Sequence, residues 1–329
     1  MYRNTNDYNF ARQKREKKTS KTRYIVALAV FCAVILGFTS RGGEETQNNV
    51  ASNPVVASEM TTINTIEDHP LQNVQFPGDG TYAVGTLFEG TVKTNQNEDP
   101  VPMASITKVI TALVVLDKAP LQLGEQGDSI TLQAKDEDYY WNYAAVQGTI
   151  TGVTAGLEMS QYDILQTMLL ASSNNMSDTI ADHYFGSVEA YVEAANAYLL
   201  REGFNNTQVV DATGFAPGSV STPSELIKLG QLALRNPVIA EISKKQESFV
   251  PVAGGVPNYN VLIDEPNVTG LKPGFTDEAG STLLFSADFP LPNGDTKTVL
   301  GVVVGHQNKP RFYLDTVSVL DQMRSLYSN

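Results

Sequence analysis

The chain has 329 residues, 42% of them hydrophobic and 18% charged, enough to bury one large core or two small ones. Its formal net charge of −13 argues against a nucleic-acid partner, because phosphate binding needs a basic face. The one cysteine, Cys32, leaves the body without a disulfide, a thiol nucleophile or a thiolate metal site.

The first 23 residues gather eight basic side chains (Arg3, Arg12, Lys14, Arg15, Lys17, Lys18, Lys21, Arg23) against Asp7 and Glu16. An uncharged run follows from Tyr24 to Ser40, around IVALAVFCAVILGF. Its length fits a short membrane span, and the basic cluster before it places the N-terminus inside and the body outside. The run reads as a retained signal-anchor, with Val55-Val56-Ala57 the competing cleavage site. Residues 41–75 are polar and aperiodic, a flexible spacer, and residues 76–329 form the folded domain.

Within that domain, Gly80 to Gly90 alternates as an edge strand. A helix runs from Met103 to Asp117, opened by Pro102. Residues 128–156 carry short Thr/Val/Ile-rich strand candidates, and Asp136-Glu-Asp138 with Tyr139, Tyr140 and Trp141 reads as a loop packing its aromatics onto the core. Ser160 opens a long helix to about Phe185, and Ser187 opens another, stopped by Gly203. Thr222-Pro-Ser-Glu225 is an N-cap with proline at the first helical position, beginning a helix to about Asn236. Val268–Phe275, Ser281–Ala287 and Lys297–Gly305 read as strands, the last two joined across Pro292-Asn-Gly-Asp295. Arg311 to Tyr327 closes the chain as a helix. This order predicts a mixed α/β fold of the α+β type. Both ends of the domain build one antiparallel sheet, helices pack on it, and a mainly helical subdomain is inserted between.

Three constellations carry chemistry. In Ser105-Ile-Thr-Lys108 the i, i+3 spacing puts hydroxyl and amine on one helix face, and an amine stripped of its proton by burial can activate the serine. Ser172-Ser-Asn174 interrupts an apolar helical stretch. It offers a relay hydroxyl at Ser172 and an amide at Asn174 for a substrate carbonyl. Lys272-Pro-Gly274 lies on a strand edge where an extended substrate backbone can pair. The bland alternatives are a surface pair, a helix break and a tight turn.

Taken in order, Ser-x-x-Lys, Ser-x-Asn and Lys-x-Gly resemble the template of penicillin-recognising serine enzymes. The wider text, Pro102–Lys108, Leu170–Asn174, Asp211-Ala-Thr-Gly-Phe215 and Gly270–Asp277, is similar to the low-molecular-mass D-alanyl-D-alanine carboxypeptidases. That resemblance implies a β-lactamase/transpeptidase-like fold and a serine hydrolase that trims D-alanine from peptidoglycan stem peptides, with β-lactams as covalent inhibitors. It implies Ser105 as nucleophile, Lys108 as general base, and Ser172 and Lys272 completing the proton and charge network. The N–H groups of Ser105 and Phe275 would form the oxyanion hole, and Thr276 and Arg311 would hold the substrate carboxylate. No cofactor or metal is implied. The cell membrane, with the domain outside, is the expected location.

Two departures stand out. Pro273 occupies the family's usual threonine position, removing a hydroxyl and a backbone N–H, and the chain ends with the domain. A β-lactamase with the same nucleophile is the first alternative, although no clear Glu-x-x-x-Asn segment follows. A non-catalytic wall-binding protein is the second. His69 in the spacer, His183 at a helix end and His306 at a strand end form no triad and read as structural or exposed.

Overall fold

The computed structural model describes residues 68–95 and 98–327. Residues 1–67 fall outside that range, so the basic tail, the run 24–40 and most of the spacer lie outside the described residues. Among the described residues, no helix is long and apolar enough to cross a membrane.

The chain enters through a short 3-10 turn, Pro70–Asn73, with His69 as its cap. Strands β1 (Thr81–Thr86), β2 (Gly90–Thr94) and β3 (Val101–Pro102) precede helix α1 (Thr107–Lys118). Next come β4 (Ser129–Thr131), α2 (Ala134–Ala145), β5 (Glu158–Ser160), α3 (Gln161–Leu169), α4 (Asn174–Phe185) and α5 (Val188–Arg201). Then β6 (Val220–Ser221), α6 (Pro223–Arg235), α7 (Pro237–Lys244) and the hairpin β7 (Glu247–Val250) and β8 (Gly254–Pro257) follow. Finally β9 (Val268–Thr276), β10 (Gly280–Pro290), β11 (Thr296–His306) and α8 (Lys309–Tyr327) end the domain.

One five-stranded antiparallel sheet, in the order β2-β1-β11-β10-β9, joins the two ends of the domain. Its long strands are buried on both faces, and the pleat sorts their side chains. Leu283, Phe285 and Val303 face a core shared with Phe312, Leu320 and Met323 of α8. Leu284, Leu300 and Val302 face the larger core, shared with α1, α3, α4, α6 and α7. Each such fully buried aliphatic or aromatic side chain contributes roughly 1.5–3 kcal/mol. Helix α6 starts where its text says: the Thr222 side chain accepts from the Glu225 N–H at 3.2 Å, with Pro223 at the first helical position.

Five expectations change. The first strand is central: β1 pairs with β11 on one side and β2 on the other, so β2 and β9 are the edges. The domain begins before residue 76, because His69, Leu71 and Val74 are buried. Pro102 sits in β3, and a 3-10 turn, Ala104–Ile106, separates it from the α-helix. The 134–145 segment is helix α2, fixed by Gln133 and Asp136 capping each other, and Trp141 is 65% exposed. The long helix from Ser160 is two helices, broken at 170–173, where Ser172 takes the left-handed conformation with φ 60°.

Candidate active site

Ser105 is half-buried in the 3-10 turn that leads into α1. One turn on, Lys108 is fully buried. Its Nζ stands 3.0 Å from Ser105 Oγ, 2.7 Å from Asn174 Oδ1 and 2.7 Å from the Thr213 carbonyl oxygen. Burial brings the Lys108 amine down to about 7, against smaller opposing pulls from the Asp211 and Asp178 carboxylates. The chemistry of the three neighbours fixes what the neutral amine does. Two of them, an amide oxygen and a carbonyl, can only accept, so the amine's two N–H groups go to them. Its lone pair is left for the Ser105 hydroxyl, and Ser105 becomes the donor.

Thr213 is held in place by its loop. Asp211 accepts from the N–H groups of Thr213 (3.1 Å), Gly214 (2.6 Å) and Ala216 (2.8 Å) and from the Ser219 hydroxyl (3.2 Å). Gly214 has φ 73°, and a Cβ there would collide with the Ala104 carbonyl and Thr107 Oγ1. A residue with a side chain would therefore push this loop off the turn carrying Ser105. Asp211-Ala-Thr-Gly-Phe is visible in the sequence, but the contact runs through a backbone carbonyl, which no side-chain pattern announces.

The sheet supplies the other side. Edge strand β9 carries Lys272, Pro273 and Gly274, paired to Leu284, Leu283 and Thr282 of β10. A Cβ on Gly274 would lie 2.7 Å from the Ser105 backbone nitrogen and 2.6 Å from Thr282 Oγ1, so glycine lets the strand edge touch the turn that carries Ser105. The Thr282 hydroxyl also donates to the Met103 carbonyl at 3.3 Å. Lys272 is fully buried, donates to the Pro273 carbonyl at 3.1 Å, and is held well below the usual lysine range by burial and then by Lys108.

Ser105, Lys108, Asn174, Lys272 and Gly274 thus converge. Ser172 is buried at the α3–α4 break, two residues before Asn174, and it is not among the three hydrogen-bond partners of the Lys108 amine described above. Phe275 is 47% exposed, with the Lys309 ammonium 3.9 Å from its ring centroid. The Thr276 hydroxyl accepts from the Ala279 N–H at 3.1 Å, closing the β9–β10 turn. Arg311 is turned along α8 to Asp315 (3.0 Å), which also meets the fully buried His306 at 3.1 Å. Among the described residues, no group of His, Cys, Asp and Glu is arranged to hold a metal.

Fold and site together define a penicillin-binding-type serine enzyme of the β-lactamase/transpeptidase-like architecture. Residues 87–307 match the family described as D-alanyl-D-alanine carboxypeptidase, and the chain belongs to that family. It is 34% identical over 224 residues to a D-alanyl-D-alanine endopeptidase of Pseudomonas aeruginosa, covering 65% of this chain and 68% of that protein. It is 32% identical over 190 residues to a D-alanyl-D-alanine endopeptidase of Escherichia coli, covering 56% and 58%. Among solved structures, the Streptomyces K15 DD-transpeptidase superposes with a TM-score of 0.65 at 22% identity, covering 76% of this chain and 98% of that one. A D-alanyl-D-alanine carboxypeptidase of Mycobacterium tuberculosis gives 0.65 at 21% identity, covering 77% and 93%. These two share the fold.

Proposed function

We propose that this protein is a serine D-alanyl-D-alanine carboxypeptidase that removes the terminal D-alanine from peptidoglycan stem peptides. The observation that carries the reading is the buried Lys108 amine 3.0 Å from Ser105 Oγ, with its two other neighbours oxygens that can only accept. Lys108 takes the Ser105 proton as the hydroxyl oxygen attacks the penultimate D-Ala carbonyl, and the N–H groups of Ser105 and Phe275 hold the oxyanion. The bond to the terminal D-Ala nitrogen breaks as that nitrogen takes up the proton, and water then hydrolyses the ester on Ser105. Ser172 would relay the proton, Asn174 would bind a substrate carbonyl, and Lys272 and Thr276 would face the terminal carboxylate. Arg311 would join them only by leaving Asp315. The same proposal keeps residues 24–40 as a membrane anchor with the domain outside the cell, where β-lactams reach it.

A second reading, cleavage of cross-linked stem peptides, draws support from the two endopeptidase relatives and from Pro273, which lacks the hydroxyl that would hold a free terminal carboxylate. The test is intact-mass spectrometry of the full chain with benzylpenicillin, followed by D-alanine release from a peptide ending in D-Ala-D-Ala and from a cross-linked dimer. A stoichiometric adduct on Ser105, absent in Ser105→Ala, with release from the linear peptide supports carboxypeptidase action. Cleavage of the dimer alone supports the endopeptidase. Penicillin turnover within seconds indicates a β-lactamase, and no adduct indicates a wall-binding protein.

A further inference from the structure

Asp178 lies one helical turn beyond Asn174 on α4, so the two side chains share a face, and Asn174 is the amide that touches Lys108. Asp178 is buried, and its Oδ1 has no hydrogen-bond partner. A carboxylate so placed is costly unless a nearby positive charge compensates it. The groups facing it come from each neighbouring element. Tyr143 and Tyr139 lie on α2, Lys108 on α1, Tyr191 on α5 and Asp211 on its loop, with Asp182 on α4 itself. Asp182 is already paired with Lys135, and Asp211 is saturated by backbone donors. Among the described residues, Lys108 is the cation whose charge acts on Asp178.

We infer that Asp178 is the counter-carboxylate of Lys108, a positioning residue that makes no bond to substrate and sets the protonation of the amine facing Ser105. When the Ser105 O–H bond breaks and its proton passes to Lys108, a buried ammonium forms. Asp178, buried and with its Oδ1 unpartnered, carries the matching negative charge. Tyr143 steadies that charge: its hydroxyl faces both Asp178 and Thr213, and its ring packs edge-on against Phe215 at 5.7 Å. Burial lifts Asp178 to about 7, with Tyr143 pulling the other way, so acid and amine exchange protons in the same pH range and titrate as a pair. Asp211 exerts the larger pull on Lys108, but its oxygens are taken up by the backbone donors that build its loop.

This inference rests on the Ser105–Lys108 reading above, and one experiment separates the two. The rate of Ser105 acylation by benzylpenicillin is measured on the full chain from pH 5 to 9 for wild type and Asp178→Asn. Removing the carboxylate removes a pull that raises the Lys108 amine, so the acidic limb moves to lower pH. A shift of about 0.5–1 pH unit is expected, at the low end of what a facing charge produces, with the alkaline plateau within about threefold of wild type. An unmoved limb, or a fallen plateau with an unmoved limb, overturns the role of Asp178 while leaving Ser105 as nucleophile. No acylation of wild type overturns the parent reading. If Asp178→Asn does not fold, Tyr143→Phe reports the same limb, because losing the hydroxyl leaves Asp178 protonated over more of the range. Its limb also moves down, and an unmoved limb there overturns the inference.

Discussion

Lys108 and Lys272 are both fully buried, and their surroundings could hardly differ more. On the helical side, Lys108 has three oxygen neighbours and feels two carboxylates, Asp211 and Asp178. On the sheet edge, Lys272 has the carbonyl of its own neighbour, Pro273, and the unfavourable company of Lys108. Burial depresses both amines, but only the helical pocket returns part of that loss through opposite charge. The first amine is therefore poised near neutrality to exchange a proton, whereas the second is held well below its usual range. Residue type and burial alone do not assign a role. The acceptors and charges within reach do.

The contrast can be broken most sharply at Lys108. Lys108→Met should lower benzylpenicillin acylation by about a thousandfold, within the range for a lost general base, as measured by stopped-flow or quenched mass spectrometry. Gly274→Ala should follow with a loss of about ten- to a hundredfold, since its methyl would shift the turn that carries Ser105 Oγ. Wild-type acylation should rise with pH through about 7. Below that point Lys108 binds a proton and has no lone pair to offer, and above it the amine is free. A rate independent of pH from 5 to 9 would remove Lys108 from the base's role. The smallest effect is thermal. Lys272→Met should raise Tm by about 2–4 °C, by replacing a poorly partnered buried amine with an apolar group of similar volume. Lys108→Met should instead lower it, because Asn174 Oδ1 and the Thr213 carbonyl lose their donor. Equal shifts in the two variants would erase the distinction.

Much of this arrangement was legible in the sequence because it rests on side-chain chemistry. Ser105 with Lys108 follows from helical spacing, α6 from its Thr-Pro-x-Glu start, and the sheet from strands at both ends. What escaped notice lies in the backbone. The break before α4 is made by Ser172 at positive φ, with neither glycine nor proline to signal it. Helix α2 was hidden because Tyr139, Tyr140 and Trp141 carry strand preference, while the cap that decides the matter is a reciprocal pair, Gln133 and Asp136. The Thr213 carbonyl and the ring contact of Lys309 with Phe275 arise only when loops distant in sequence meet. Arg311, which the resemblance implies at the substrate carboxylate, is paired here with its i, i+4 neighbour Asp315.

Among the described residues, strand β9 closes one side of the sheet with no further strand beside it. An unpaired edge is also a template for association between copies of a chain, and proteins blunt such edges with proline, charge or cover. Here a single short stretch meets two of these descriptions: Pro273 removes a donor from the edge, and the Ser105 turn lies against Gly274. The departure from threonine at position 273 thereby gives the domain a guard against sheet-to-sheet pairing at this edge.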